Sequence, residues 1–198
     1  MQETRTLPPQ PQNDKRKTKI ILLAGVRGCG KSTYAERLAR TAERSLMITP
    51  TFDDFADKLP ECKCRTRPDF SYTGMRCRVY KNENDLRAIL KHFHNGILIL
   101  DDPLCYVRQN WEESALKGIV SVSRKMMLDI IFVVHGWDRV PPILFSFITD
   151  VVLFQLTSEP SLRKKYLGSK LAEIERIQAE VNRQAKTNPY AKMTFQFN

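Results

Sequence analysis

Three observations predict an α/β fold, a three-layer sandwich around a mostly parallel sheet. Continuous apolar runs recur along the chain at Lys19–Ala24, Ile97–Leu100 and Ile130–Val134, as in strands buried on both faces. Stretches of helical periodicity separate the runs. The first run also ends in a glycine-rich loop that opens such a helix, the usual arrangement of a strand–loop–helix unit.

The elements follow in order. After Lys19–Ala24, the small and apolar residues Tyr34, Ala35, Leu38, Ala39 and Ala42 predict a helix from Lys31 to about Arg44, and Ser45–Thr49 a second strand. Residues 60–76 are polar, aperiodic and carry Pro and Cys, so an inserted loop is expected there, with a short strand at Arg78–Tyr80. Leu86, Ile89, Leu90 and Phe93 predict a helix over Asn84–Phe93, punctuated by Gly96. Ile97–Leu100 ends in Asp101-Asp102. A helix over Trp111–Met127 then leads to Ile130–Val134, which ends at His135-Gly136. Pro141-Pro142 opens a short helix, and Asp150–Leu156 is a further strand. Residues 169–198 hold an amphipathic helix, Leu171–Arg183, and an edge strand, Met193–Phe197.

The 198 residues suit one domain, expected to span 19–198. Residues 1–18, rich in Pro, Gln and Thr and closing on Lys15-Arg16-Lys17-Thr18, read as a flexible basic arm without the apolar stretch of a secretory signal. No membrane span is expected, because the longest apolar stretch, Pro141–Leu156, is interrupted by Asp150 and falls short of roughly 20 residues. The net charge of +10 suits a polyanionic partner and equally suits solubility. The five cysteines read as reduced thiols; the spacing of Cys62, Cys64 and Cys77 with His92 and His94 matches no usual zinc site.

Gly25-Val26-Arg27-Gly28-Cys29-Gly30-Lys31-Ser32 matches the phosphate-binding loop in full, and Thr33 continues it into the helix. Glycines let successive N–H groups point at a phosphate, and the helix start adds its positive dipole end. Lys31 is expected to bridge the β- and γ-phosphates of ATP, and Ser32 to bind Mg²⁺ together with Asp101 in the Walker B position. Asp102 is the candidate general base, against the plainer role of capping the next helix. His135 is the candidate sensor of the γ-phosphate, against a merely structural strand-end histidine. Arg124 and Arg139, with Arg27 of the loop as a third, are candidates for an arginine acting across a subunit interface, although a solvated surface role suits any of them. Together these strand ends place the chain among P-loop NTPases with an additional strand between the Walker A and Walker B strands.

The order of these motifs, with Ser123–Ile130, Val134–Pro141 and Asp150–Thr157 before Glu159-Pro160, resembles the FtsK/HerA superfamily of P-loop ATPases. Within it the chain looks most like the small genome-packaging ATPases of tailless icosahedral viruses with internal membranes. It is also similar to Zot-like assembly ATPases of filamentous phages. Asp102 stands where the relatives usually carry Glu, and His135 where they carry Gln. The resemblance implies an Mg-dependent ATPase that translocates a viral DNA genome as a homo-oligomeric ring, a pentamer or hexamer, at a capsid vertex. It implies a location in the host cytoplasm or the virion. Lys63, Arg65, Arg67, Arg76, Arg78 and Lys81, interleaved with Phe70, Tyr72 and Tyr80, are the candidate DNA-backbone contacts, or else a solvated loop. Two alternatives stand beside the motor. One is a nucleotide or nucleoside kinase with Arg163, Arg176 and Arg183 as lid arginines. The other is a nucleotide-gated assembly factor with weak turnover.

Overall fold

The computed structural model describes residues 17–51, 56–62, 71–80, 86–87, 91–106 and 115–197. Most of the basic arm, half of the helix expected at Asn84–Phe93 and the start of that expected at Trp111 lie outside the described residues, as do Cys64, Lys63, Arg65, Arg67, Phe70 and Lys81. The apolar runs form strands β1 (Ile20–Ala24), β2 (Arg44–Thr49), β3 (Gly74–Val79), β4 (Gly96–Asp101), β5 (Leu128–Val134), β6 (Asp150–Leu153) and β7 (Met193–Gln196). Helix α1 (Lys31–Ala39) follows β1, α2 (Ala115–Val122) precedes β5, and α3 (Leu171–Ala185) precedes β7.

The strands make one seven-stranded sheet in the order β3-β2-β4-β5-β1-β6-β7. Six run parallel, and β7 closes the edge antiparallel to β6. The sheet therefore places β5 between β1 and β4, the additional strand that the motif order predicts. Alternation along each strand divides the core. Leu22, Leu98, Ile130, Phe132 and Val151 face one side, where α2 contributes Leu116 and Ile119 and α3 contributes Ile174 and Val181. Leu23, Ile99, Ile131 and Val152 face the other, where α1 lays Ala35 and Ala39 on the sheet. Both faces are covered, which is why the strands read as unbroken apolar runs.

Several boundaries differ from expectation for local reasons. Helix α1 ends at Ala39 instead of near Arg44: the Thr41 hydroxyl takes up the Leu38 carbonyl at 2.7 Å, and Arg44 already belongs to β2. Strand β3 is longer than Arg78–Tyr80 because its whole length pairs with β2, from Arg44↔Gly74 to Thr49↔Val79. The left-handed turn before β4 falls on Asn95 (φ 55), and Gly96 begins the strand itself. Strand β6 stops at Leu153 instead of Leu156. Beyond it Val26 N–H bonds Gln155 O at 2.8 Å, and the Asn182 side chain bonds both Leu156 N–H (2.9 Å) and Leu156 O (2.8 Å). Residues 154–156 are thus tied to the phosphate loop and to α3.

Helix α3 also holds the segment after β5. Trp137 is fully buried, and its Nε1–H donates to Gln178 Oε1 at 2.7 Å while Gln178 Nε2 donates to Ser158 O at 2.9 Å. Replacing Gln178 with Leu strands a buried indole N–H and a carbonyl, so we expect a loss of about 1–3 kcal/mol in urea unfolding. Adding Trp137→Phe to Gln178→Leu removes the orphaned donor and is expected to cost less than the sum of the two single changes.

Candidate functional site

Strand register assembles the site. Ala24 lies opposite Val134, and Asp101 opposite Val133, so the residues that follow β1, β4 and β5 leave the sheet at one edge. Gly25 N–H bonds Val134 O at 3.2 Å, and Asp102 N–H bonds Val133 O at 3.0 Å. The edge opens into a cleft of about 590 Å³ lined by Arg27, Gly28, Gly30, Lys31, Ser32 and Thr33 of the loop and α1. Asp101, Asp102 and His135 line it from the strand ends. That volume suits a nucleotide-sized ligand.

Within the loop, Gly28 (φ 78) and Gly30 (φ 90) supply the left-handed backbone that curls it. Cys29, unspecified by the loop template, proves to be an internal strut. It is buried, and its Sγ donates to Val26 O at 2.9 Å. A side chain at Gly25 would collide with Cys29 Sγ and with Phe154 Cβ, so Gly25 and Cys29 are fitted to each other. Burial pushes the Cys29 thiol up, away from the thiolate form.

Lys31 is 4% exposed, its ammonium folded back on its own loop, where Nζ donates to Gly25 O and Val26 O, both at 2.7 Å. Burial pulls its pKa below the usual lysine value, opposed by Cys29 and Asp101. Lys31 Nζ also lies 3.4 Å from His135 Nδ1. An ammonium can only donate, so Nδ1 is the accepting nitrogen and the proton of the neutral ring sits on Nε2. Burial first, and the Lys31 charge second, lower the His135 pKa and keep the ring neutral.

Asp102 has φ 45, a left-handed position that a short polar residue tolerates. Its Oδ1 is buried without a hydrogen-bond partner, and its Oδ2 lies 3.9 Å from an Arg139 guanidinium nitrogen. In the following turn Pro103–Tyr106, Asp102 O accepts Cys105 N–H at 2.9 Å and the Cys105 thiol hydrogen-bonds the Asp102 side chain. The Ser32 hydroxyl and the Asp101 carboxylate line the same cleft and are oxygen donors of the kind a hard divalent cation takes.

Arg124 is elsewhere. It is exposed and lines a different cavity of about 530 Å³ with Thr18, Ile20, Ser146 and Thr149, at the amino ends of β1 and β6. Its own cleft is at the opposite end of the sheet. The basic segment also divides. Arg78 is buried and donates to Cys62 O at 2.9 Å, Tyr72 is buried with its hydroxyl on Ser45 O at 2.9 Å, and the Arg76 guanidinium stacks 4.4 Å from the Tyr72 ring. Arg78 and Tyr72 are thus parts of the core beside β2 and not free contacts for a nucleic acid. Of the arginines considered as a lid, Arg163 holds Trp137 O (2.9 Å) and Asp138 O (2.6 Å), and Arg183 holds Glu180 (2.9 Å). Arg176 is exposed on α3.

Sequence reasoning passed over Tyr190, which the return of the chain toward β7 brings to the rim of the cleft, and Pro50 and Thr51 at the end of β2. A lone tyrosine in a polar tail carries no signal of such a place.

The architecture matches solved structures closely in shape. Over 91% of this chain and 93% of the other, with TM-score 0.64 and 18% identity, it is similar to the genome packaging NTPase B204 from Sulfolobus turreted icosahedral virus 2 in complex with AMPPCP. B204 from Sulfolobus turreted icosahedral virus, described as a DNA-packaging ATPase, matches over the same shares at TM-score 0.64 and 15% identity. The fold is that of a P-loop NTPase. A looser likeness is to the N-terminal domain of zonular occludens toxin from Neisseria meningitidis, with TM-score 0.41 and 16% identity over 69% of this chain and 76% of that one. No family model matches the sequence, and no curated protein does.

The lowered pKa of His135 has a consequence for stability. As pH falls below about 6.5, the unfolded chain takes up a proton that the folded site resists, so the contribution of the neutral ring is present above that pH and declines below it. The melting temperature of the wild type is therefore expected to fall further between pH 8 and pH 5.5 than that of His135→Gln; parallel declines would show that His135 titrates normally.

Proposed function

We propose that this chain is an Mg-dependent ATPase that translocates nucleic acid, packaging a viral DNA genome into a capsid as a ring of identical subunits, a pentamer or hexamer. The observation that carries the proposal is the convergence of Lys31, Asp101, Asp102 and His135 on one cleft across the intervening strand β5. Further support comes from the likeness in fold to proteins described as genome-packaging NTPases. Membership in the FtsK/HerA superfamily belongs to the same proposal. So do a place in the host cytoplasm or at a virion vertex beside capsid proteins, and the division into an arm over 1–18 and one ATPase domain over 19–198.

The residues take the following roles. The loop amides from Gly25 to Gly30, with the start of α1, hold the phosphates, and Lys31 exchanges the Gly25 and Val26 carbonyls for phosphate oxygens. A magnesium ion bound through Ser32 and Asp101 would neutralise phosphate charge. Asp102 accepts a proton from water at Oδ1, the oxygen that has no partner within the protein. His135, with Nδ1 on Lys31, presents Nε2–H as a neutral donor and senses the γ-phosphate. Arg139, with a guanidinium nitrogen 3.9 Å from Asp102 Oδ2, steadies that carboxylate. Arg124, at the far end of the sheet, acts only across a subunit interface. No kinase lid is assigned: Arg163 holds the Trp137 and Asp138 carbonyls, and Arg183 pairs with Glu180 on its own helix.

Turnover of ATP measured with and without duplex DNA, together with particle mass, tests the proposal. DNA-stimulated hydrolysis by a ring is expected. Asp102→Asn should lower kcat by about 10²–10⁴-fold with ATP binding retained, and Lys31→Ala should abolish turnover. Phosphorylation of a nucleoside monophosphate by a monomer would overturn the motor, and ATP binding without turnover would point to an assembly factor.

A further inference from the structure

The cleft has two ends of different chemistry. At one, Asp101, Asp102 and His135 gather near the Lys31 ammonium. At the other, Tyr190 borders Gly30 at the start of α1, and Thr33 of the first helical turn lines the same wall. A nucleotide whose terminal phosphate lies toward Asp102 and whose other phosphates follow the loop amides carries its sugar and base toward Tyr190.

Tyr190 is 62% exposed, an unusual state for a large ring, yet it is held in place from both sides. Its N–H bonds Asn188 Oδ1 at 3.1 Å, and Asn188 N–H caps the end of α3 through Gln184 O at 3.0 Å. On the other side Lys192 sets its ammonium 5.1 Å from the Tyr34 ring of α1, and Tyr34 meets Phe154 edge-on at 5.9 Å. The strand β7 then begins at Met193. The ring borders Gly30, where an added Cβ would come within 3.0 Å of Tyr190 Cδ1. Gly30 is thus required twice, by its φ of 90 and by the ring over it.

We propose that Tyr190 is the nucleobase platform of this cleft, stacking its open face on the base of a purine nucleoside triphosphate seated in the phosphate loop. The inference rests on the ATPase function proposed above and deepens it. An aromatic face binds a base through its π-surface and reads none of its edge groups, so the platform favours the larger purines by contact area alone.

Titrations of the full-length protein with ATP and with inorganic tripolyphosphate, which lacks sugar and base, separate the platform from the loop. Tyr190→Ala is expected to weaken ATP about tenfold or more, in the range of a lost base–aromatic stack, and to leave tripolyphosphate within about twofold of wild type. Tyr190→Trp is expected to retain ATP affinity and to show a fluorescence quench with ATP, absent from the wild type and absent with tripolyphosphate. Unchanged ATP affinity in Tyr190→Ala, or equal weakening of both ligands, overturns the platform. Failure of wild type to bind either ligand overturns the nucleotide function beneath it, a different result from a failed platform.

Discussion

Strand β5 is hydrogen-bonded between β1 and β4, and the chemistry of this molecule depends on that pairing. Had β1 and β4 been neighbours, the loop after one and the acids after the other would stand about 4.8 Å apart, leaving no strand end between them. With β5 inserted, two strand spacings open, and His135 emerges in the gap. The first residue beyond each flanking strand is bonded to β5: Gly25 N–H to Val134 O and Asp102 N–H to Val133 O. A one-residue slip of β5 would exchange its two faces and carry His135 away from Lys31. The unbroken apolar sequence Ile130–Val134 does not itself specify register, because both faces are buried. Register is fixed by the ends, through Ile130 N–H on Lys19 O and Lys19 N–H on Asp129 Oδ1 at one end and the site at the other.

Inside that frame the buried charges are balanced by dipoles. Lys31, nearly out of solvent, is held by two carbonyls and a neutral imidazole. Isolated burial of an ammonium is costly, and carbonyl dipoles offset it only in part, so the loop keeps an excess of positive potential. Across the cleft Asp102 keeps a buried oxygen without a donor. Both demands stand open to a ligand in the cleft, an anion for one and a hydrogen-bond donor for the other. A neutral His135 suits this balance, since a second cation beside Lys31 would add repulsion that burial makes stronger.

Sheet, strand order around the loop and the cleft's principal acids were legible in the sequence because each has a local signature: apolar runs, a glycine spacing, acids at a strand end. What was not legible is long-range. Arg78 reads as one more basic residue in a basic segment, and only the pairing of β3 with β2 buries it against Cys62. Arg163 and Asn182 read as surface polar residues, yet they satisfy backbone groups more than twenty positions away. Helix ends were displaced because side-chain caps such as Thr41 decide them. Tyr190 needed the antiparallel return of β7 along β6 before it had any address.

Helix α3 and the chain after it touch three of the segments that leave the sheet near the site. Gln178 holds Trp137, two residues past His135; Asn182 holds Leu156, just beyond the residue that bonds Val26; and the turn after α3 carries Tyr190 to Gly30. These contacts are hydrogen bonds and packing against a fully buried indole, with little slack. The Trp137 backbone thus links His135 to α3, and Val26, Gln155 and Leu156 link the loop to the same helix. The helix presents Arg176 and Glu175 outward on its opposite face. The residues that build these links are those whose roles lay hidden in the linear sequence.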